Sequence, residues 1–490
     1  MEQLTTLDAG FLMAEDSDRH VSLAIGGVAV MQGSAPDQRL LKTILAERLH
    51  AIPRCRQLLR TYPFDVGAPQ WVDDPDFEPS RHVRRVAAPR PGGDTELFQV
   101  IADVMERRLD RARPLWECWV IEGLEGNRWA ILMKIHHSVA DGISAIRILT
   151  QLCDAAERDT RSEPGGAHRT AGPPASSRPE AHPRVAAPNP LSWVPSMWRA
   201  ASAVATGTAR ALTGATEIAV GLTRPTAGGA LIGPVTTMRR YHAVRVSFAD
   251  VENVCRRFDV TVNDVALAAI TEGFRAALLN RGEQPRADSL RTLVPVSVRG
   301  PEALGKPDNR IAVMLPYLPV EQTDPVEQLQ SVHNRLTRAK RGGQRQAGKI
   351  LVSAANNIPF MLTSWAIRLL TRLPQRGIVT LATNVPGPRR RLRIMGNEVV
   401  SLLPVPPIAL RLRTGIAVLS YADDLVFGIT ADYHATTDVD QLTDGIESAL
   451  TRLNALSQGS VLLFPSDRAD ARPPAASAPG ARRARRSSSA

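Results

Sequence analysis

The spacing of hydrophobic residues in the first third of the chain alternates between the periods of strands and of helices. Residues 21–30 (VSLAIGGVAV) are almost all small or apolar, which predicts a strand. Residues 40–52 repeat apolar side chains at helical spacing, and residues 143–158 do the same. Between them, residues 128–137 (RWAILMKIHH) form a nearly continuous apolar run, as expected of a strand that is buried on both faces.

The same two patterns recur in the last half of the chain. They predict a helix, two strands, a hairpin with its turn at Asp423–Asp424, and a closing helix, over residues 260–279, 292–299, 311–320, 414–433 and 441–456. The chain therefore reads as two α/β halves with mixed sheets.

Composition separates the two halves. Residues 157–190 are rich in Pro, Ala, Gly, Ser and charge, which indicates a linker, and residues 191–222 follow as a weakly amphipathic helix pair with two Trp. That pair either packs against a domain or docks on a membrane. We predict a first half over 1–156, a linker and crossover over 157–240, a second half over 241–464, and a disordered basic tail over 465–490.

Charge and cysteine content narrow the classes of protein. The net charge is +11, and part of the excess lies in the terminal ARRARRSSSA, which suits acidic ligands or an anionic lipid surface. The four Cys are far apart, without a CxxC pair, so a reducing cytosol is expected and a disulfide framework or zinc site is not. No secretory signal and no membrane span is predicted, so membrane contact should be peripheral.

The segment HHSVADG, at the end of the apolar run 128–137, is the strongest candidate for chemistry. Alternate residues of a strand face opposite sides, so His137 should face one way and His136 the other, which argues against joint metal binding. A His at the end of a buried strand can be held in one tautomer and act as a general base near neutral pH. Asp141 lies in the following turn, and Gly142 allows a tight turn into the next helix.

These residues resemble the HHxxxDG motif of the two-domain CoA-dependent acyltransferases, and more narrowly the bacterial wax ester synthase/acyl-CoA:diacylglycerol acyltransferase family. Further segments carry the resemblance in the family's order: LTTLDAGFL, LDRARPLWECWVIEGL, KIHHSVADGIS, TVNDVALAAI, LVPVSVR, NRIAVMLPYLP, TNVPGP and LSYADDLVFGITADYHATTDVDQL. They cover nearly everything except the linker and the tail.

The resemblance implies two chloramphenicol-acetyltransferase-like domains with mixed sheets flanked by helices and an active-site tunnel between them. It implies that His137 takes the proton of an acceptor hydroxyl, which then attacks the thioester of acyl-CoA directly. Acyl-CoA would be a substrate, so no cofactor and no metal is expected. His136, of the same motif, is counted with His137 among the catalytic residues, and Asn263 and Asp264 are expected to shape the site, or simply to cap the start of a helix.

The resemblance also gives Asp141 a structural role. Related two-domain acyltransferases pair this Asp with an Arg of the other domain, and Arg299, at the end of TLVPVSVR, is the best candidate here. The alternative is that Asp141 only caps the helix that follows it.

Several functions remain open from sequence. The favoured acceptor is diacylglycerol, giving triacylglycerol, and the alternatives are a long-chain fatty alcohol, giving wax ester, or a polyketide or sugar hydroxyl. A catalytically silent lipid-binding homologue is a different class, which the intact His137 and Asp141 oppose. A nucleic-acid partner is not expected, because basic and aromatic residues are not interleaved on a sheet. We expect a cytoplasmic enzyme, peripherally bound to an anionic membrane surface, at the inner face of the plasma membrane, or to lipid bodies.

Overall fold

A computed structural model describes residues 2–62, 67–154, 231–297, 311–341 and 376–459, with Thr226, Phe360, Ser364 and Arg368 as isolated positions. The expected linker, helix pair and basic tail lie outside these residues. The helices are α1 Thr6–Ser17, α2 Gln38–His50, α3 Asp94–Glu106, α4 Gly142–Gln151, α5 Phe248–Phe258, α6 Val262–Asn280, α7 Pro325–Arg341 and α8 Thr436–Ser457.

Fifteen strands are described, and six of them coincide with the apolar runs that predict strands in the sequence. They are β1 Glu2–Gln3, β2 Ala24–Gln32, β3 Gln57–Arg60, β4 Gln70–Asp73, β5 Val83–Ala87, β6 Trp116–Leu124, β7 Arg128–His136, β8 Arg239–Ser247, β9 Thr292–Ser297, β10 Ile311–Met314, β11 Thr380–Val385, β12 Arg393–Ile394, β13 Asn397–Val405, β14 Thr414–Tyr421 and β15 Asp424–Asp432.

The strands form two six-stranded mixed sheets and one small sheet. The first sheet has the order β12-β13-β2-β7-β6-β5, and only β5 and β6 run parallel. The second has the order β10-β9-β11-β14-β15-β8, with β11 parallel to both of its neighbours. The predicted α/β architecture with two mixed sheets is confirmed.

The two sheets do not follow the chain in simple succession. Residues 393–405, which our boundaries place in the second half, form β12 and β13 and pair with β2 of the first sheet. The hydroxyl of Tyr241 in the second sheet donates to the carbonyl of Pro404 in β13 at 3.0 Å. Residues 393–405 of the second half thus form two strands of the first sheet, which we call the crossing strands. They join the two halves in addition to the linker segment.

Two local predictions need correction. The hairpin turn lies at Ala422–Asp423, one residue before the expected Asp423–Asp424, and Ala422 has a φ of 48°. The helix expected over 143–158 ends at Gln151, and after it the side chain of Asp154 accepts the backbone N–H groups of Met395 and Gly396 beside β12, each at 2.9 Å.

Each sheet carries its own hydrophobic core, and helices cover the second one closely. α6 and α8 cross where Gly273 faces Gly445, since a Cβ on Gly445 would lie 2.7 Å from the Cα of Gly273. Among the residues described, no helix has both the length and the hydrophobicity needed to cross a bilayer.

Candidate active site

The candidate site begins where β7 ends, at His136 and His137. β7 lies between β2 and β6, and almost all of its residues are buried. The N–H of His136 donates to the carbonyl of Leu115, and the N–H of His137 donates to the carbonyl of Leu23, each at 3.0 Å. These bonds to both neighbouring segments fix the backbone from which the two imidazole rings project.

The ring of His136 is buried, and both of its nitrogens face polar groups. The backbone N–H of Ser138 donates to Nδ1 at 3.1 Å, and Oγ of Ser138 lies 2.7 Å from the same nitrogen. Because Nδ1 accepts, this network assigns the proton of the neutral ring to Nε2. Nε2 lies 3.6 Å from Oε2 of Glu15.

The ring of His137 has a different neighbour. It stacks on the ring of Phe11, with the centroids 4.1 Å apart and the planes at 22°. Burial lowers the pKa of His137 to about 4, although its own backbone and the charge of Asp141 act in the opposite direction. At neutral pH the imidazole is therefore uncharged, which is the form that accepts a proton.

Asp141 closes the turn that carries the two histidines. It is the N-cap of α4, its Oδ1 accepts the backbone N–H of Ser144 at 2.8 Å, and it is 6% exposed. The capping role is thus present. Arg299, the partner that the resemblance implies, lies outside the described residues, so the Asp141–Arg299 pair stays a prediction.

Gly142 brings the second half of the chain against this turn. A Cβ atom on Gly142 would lie 2.9 Å from Cγ2 of Val385, the last residue of β11. Val385 belongs to TNVPGP, so two of the segments that carry the family resemblance meet here. Within that second segment, the N–H of Gly387 donates to Oγ of Ser420 at 3.1 Å. The close approach of Val385 requires Gly142, whereas the turn does not, because Gly142 has no positive φ and is the first residue of α4.

Asn263 and Asp264 lie in the first turn of α6, and neither of them is the N-cap of this helix. Thr261 is the N-cap, and Oδ2 of Asp264 accepts the N–H of Thr261 at 2.9 Å in a capping box. The same Oδ2 lies 2.8 Å from Nδ1 of His333 on α7. Asn263 is half-buried. These contacts of Asp264 lie within the second half and do not involve the histidine pair.

Three residues beside the site were not predicted as part of it. Phe11 and Glu15 lie on α1, and Arg111 lies in LDRARPLWE. Nη2 of Arg111 lies 2.8 Å from Oε2 of Glu15. The only signal in the sequence is that Glu15 follows Phe11 by four residues in FLMAED, which places both side chains on one helical face.

Lys134 is a further buried charge on β7, two residues before His136. Its Nζ donates to the carbonyl of Val104 at 2.7 Å and to the carbonyl of Arg107, at the end of α3. Burial lowers its pKa to about 8. Lys134 therefore ties the catalytic strand to the carbonyl end of α3, where a cation is favoured.

Comparison with known families gives matches over most of the chain. The wax ester synthase/diacylglycerol acyltransferase catalytic domain matches residues 4–266, and the WS/DGAT C-terminal domain matches residues 308–454. A Mycobacterium tuberculosis protein, tgs1, named as a diacylglycerol O-acyltransferase, is 57% identical over 458 residues, which cover 94% of this chain and 97% of that protein. A second M. tuberculosis protein of that name, Rv3371, is 51% identical over 472 residues, 96% and 94% of the two chains.

Solved structures resemble the fold. The wax ester synthase/diacylglycerol acyltransferase from Marinobacter aquaeolei VT8 has a TM-score of 0.64 and 24% identity, covering 93% of this chain and 100% of that chain. The TRI3 trichothecene 15-O-acetyltransferase from Fusarium sporotrichioides has a TM-score of 0.60 at 11% identity, covering 92% and 94%. At these identities the likeness concerns the fold alone.

Proposed function

This chain belongs to the wax ester synthase/diacylglycerol acyltransferase family, and from that membership we propose that it transfers the acyl group of acyl-CoA to the hydroxyl of diacylglycerol. The product is triacylglycerol. The observation that carries the proposal is the half-buried, uncharged imidazole of His137, directly after β7 in the turn that leads to Asp141, the N-cap of α4. The names of the relatives at 57% and 51% identity favour diacylglycerol as the acceptor.

The proposed reaction needs one base and no covalent enzyme intermediate. An unprotonated ring nitrogen of His137 takes the proton of the acceptor hydroxyl while the oxygen attacks the thioester carbon. The tetrahedral intermediate then collapses, and its bond between the carbonyl carbon and the CoA sulfur breaks. The sulfur receives the proton from the imidazolium of His137, and CoA leaves as a thiol. Acyl-CoA is thus a substrate, and we propose that the reaction uses no cofactor.

Two of the buried thiols in the first half, those of Cys55 and Cys118, are poor nucleophiles. Burial raises the pKa values of Cys55 and Cys118 to about 12, so both remain protonated at neutral pH. This supports direct transfer over a route through an acyl-cysteine.

The test is a product assay with the purified protein. A labelled acyl-CoA is offered with diacylglycerol, monoacylglycerol or a long-chain fatty alcohol, and we expect triacylglycerol to form fastest. His137→Ala is the matched control and should form none above background. Wax ester as the dominant product would move the assignment to the alternative within the family. No product from any acceptor, with a folded protein, would instead identify a silent lipid-binding homologue.

We further propose that the enzyme works at an anionic surface on the cytoplasmic side, at the plasma membrane or on lipid bodies. The support is electrostatic: the net charge of +11 includes the four arginines of ARRARR near the C-terminus, and each basic residue near an anionic leaflet contributes about 1 kcal/mol. Deleting the residues after Pro465 should weaken binding to phosphatidylserine vesicles more than it slows turnover of dispersed substrate. Equal vesicle binding with and without the tail would contradict this role.

A further inference from the structure

Glu15 is a buried carboxylate that the reaction above does not use. It lies near the end of α1, and its side chain is only 2% exposed. A charged group without water requires partners that replace its hydration. The identity of those partners indicates what Glu15 does.

The partners of Glu15 come from three directions. Its Oε1 accepts the backbone N–H of Leu23 at 3.1 Å. Its Oε2 accepts the guanidinium of Arg111 at 2.8 Å and lies 3.6 Å from Nε2 of His136. Burial by itself would raise the pKa of Glu15, but His136, Arg111 and Leu23 together hold that pKa at about 2. The carboxylate is therefore ionised throughout the pH range of an enzyme assay.

These contacts connect Glu15 to both histidines. It faces Nε2 of His136 directly, on the side of the ring opposite the nitrogen that accepts from Ser138. It reaches His137 through one intervening residue, because Leu23 donates its N–H to Glu15 and accepts the N–H of His137 at 3.0 Å. A carboxylate beside an imidazole favours the tautomer with its proton directed at that carboxylate.

The helix that carries Glu15 is itself fixed against the site. Phe11, one turn earlier, stacks on the ring of His137. Arg108 donates to the carbonyl of Val21 at 2.8 Å and to the carbonyl of Glu15 within α1. It also donates to the carbonyl of Asp18, the residue that follows α1. Arg108 and Arg111, which lie in the segment before PLWE, thus fix α1 beside the histidine pair.

We propose that Glu15 is a positioning residue for acyl transfer: it holds His136 as the Nε2–H tautomer and fixes the turn that aims the ring of His137. The role rests on the proposed function of His137 as the base. Glu15 touches neither the base nor the reacting atoms in this arrangement, and acts through His136 and Leu23.

The test compares Glu15→Gln with Asp16→Asn. Asp16 is the matched control, since it also binds Arg111, at 2.8 Å, but it is half exposed and belongs to the outer side of the contact. We expect kcat of Glu15→Gln to fall about 10- to 100-fold, the range known for replacing groups that orient metal-ligating histidines. KM for acyl-CoA should stay within about twofold, because binding of the thioester is not altered, and Asp16→Asn should keep its kcat within a similar factor.

The second readout is the nitrogen NMR spectrum of histidine-labelled protein without substrate, with His136 assigned through His136→Gln. In the wild type the spectrum should give Nε2–H for His136, and Glu15→Gln should introduce the other tautomer. A wild-type spectrum with the proton on Nδ1 would overturn the proposal without any variant. So would a Glu15→Gln protein that melts at a lower temperature but keeps its kcat per folded molecule and its histidine spectrum. Failure of the wild type to transfer an acyl group is a separate result: it would refute the proposed function, while the tautomer of His136 is still read out.

Discussion

The segments 136–142 and 261–264 both place an aspartate at the start of a helix, yet the two aspartates are engaged differently. Asp141 is itself the N-cap, and the turn before it carries two imidazole rings that contact α1. Asp264 lies three residues inside its capping box, and its Oδ2 is shared by Thr261 and His333. The first segment presents side chains to the candidate site, whereas the described contacts of Asp264 in the second segment are all with residues of the second half.

This difference shows that an Asp at a helix start carries little functional information by itself. The first segment is distinguished by what surrounds it: a buried strand end, a ring stacked on His137, and Val385 approaching from the other half.

Replacing the base should have the largest effect. His137→Ala should lower kcat about 100- to 10,000-fold, the range attributed to a positioned general base. His136→Ala should cost less in kcat and more in melting temperature, since its buried ring is held by Ser138 and Glu15. His333→Ala, in the second segment, should keep kcat within a few-fold, as steady-state kinetics on all three variants will test. Similar losses from His136→Ala and His137→Ala would remove the division of roles between the two rings.

Asp141→Ala should be the most destabilising change in the first segment. If its carboxylate neutralises the guanidinium of Arg299, removing it costs about 3–5 kcal/mol in the free energy of unfolding. A capping contact alone costs about 0.5–2 kcal/mol. We expect the larger value, measured by urea unfolding, and a coupling energy in a double-mutant cycle with Arg299→Ala. A cycle without coupling would mean that Asp141 only caps α4. The aspartates of the two segments would then both serve helix capping.

Gly142→Ala should force the two halves apart at the site. Its new Cβ would lie 2.9 Å from Cγ2 of Val385, and overpacking of this kind costs about 1–3 kcal/mol. Adding Val385→Ala should restore stability and part of the activity. Gly27→Ala is the control, since a Cβ there meets Leu149 at an ordinary 3.6 Å. Differential scanning calorimetry of the four proteins gives the comparison, and an absence of rescue by Val385→Ala would place the strain elsewhere.

Thr261→Ala should have a smaller effect, confined to stability. It removes the hydroxyl that accepts the N–H of Asp264 at 3.3 Å, and the loss of such a cap costs about 0.5–2 kcal/mol. Because the described contacts of this box stay in the second half, kcat of the folded enzyme should remain within about twofold. A large loss of kcat at unchanged stability would mean that Asn263 and Asp264 shape the site after all.

The smallest expected effect is a shift in the pH profile. Burial lowers the pKa of His137 to about 4, so kcat/KM should decline on acidification only well below pH 6.5. Asp141 raises the pKa of His137 by its charge, so Asp141→Asn should move this acidic limb further down, by less than about one pH unit. Asp264→Asn should not move it. A limb near pH 6.5 in the wild type would mean that the ring is hydrated when substrate binds.

Local pattern was sufficient for six of the fifteen described strands, for four of the eight described helices and for the motif at the end of β7. The apolar run 128–137 predicted the central strand that ends at His136, because a strand buried on both faces leaves a continuous hydrophobic signature. The capping alternative for Asp141 was likewise accessible, since an Asp directly before a helical repeat is a local signal.

The contacts that a local pattern cannot specify are those between distant segments. Nothing in the spacing of residues 397–405 indicates that β13 pairs with β2 and leaves the second sheet. Glu15 and His136 are 121 positions apart, and Gly142 and Val385 are 243 apart, so their proximity depends on the whole topology. The resemblance to a family identified the segments involved but not which side chains meet.

The crossing strands β12 and β13 set an order of events during synthesis of the chain. The edge of β2 that pairs with β13 has no partner until residue 405 leaves the ribosome, 269 residues after His136. At about 5–20 residues per second, that interval lasts roughly 13–54 s. Throughout it, the nascent first half exposes an apolar strand edge, the kind of surface on which chains aggregate or recruit chaperones. The histidine pair therefore acquires its final support only when translation is almost complete.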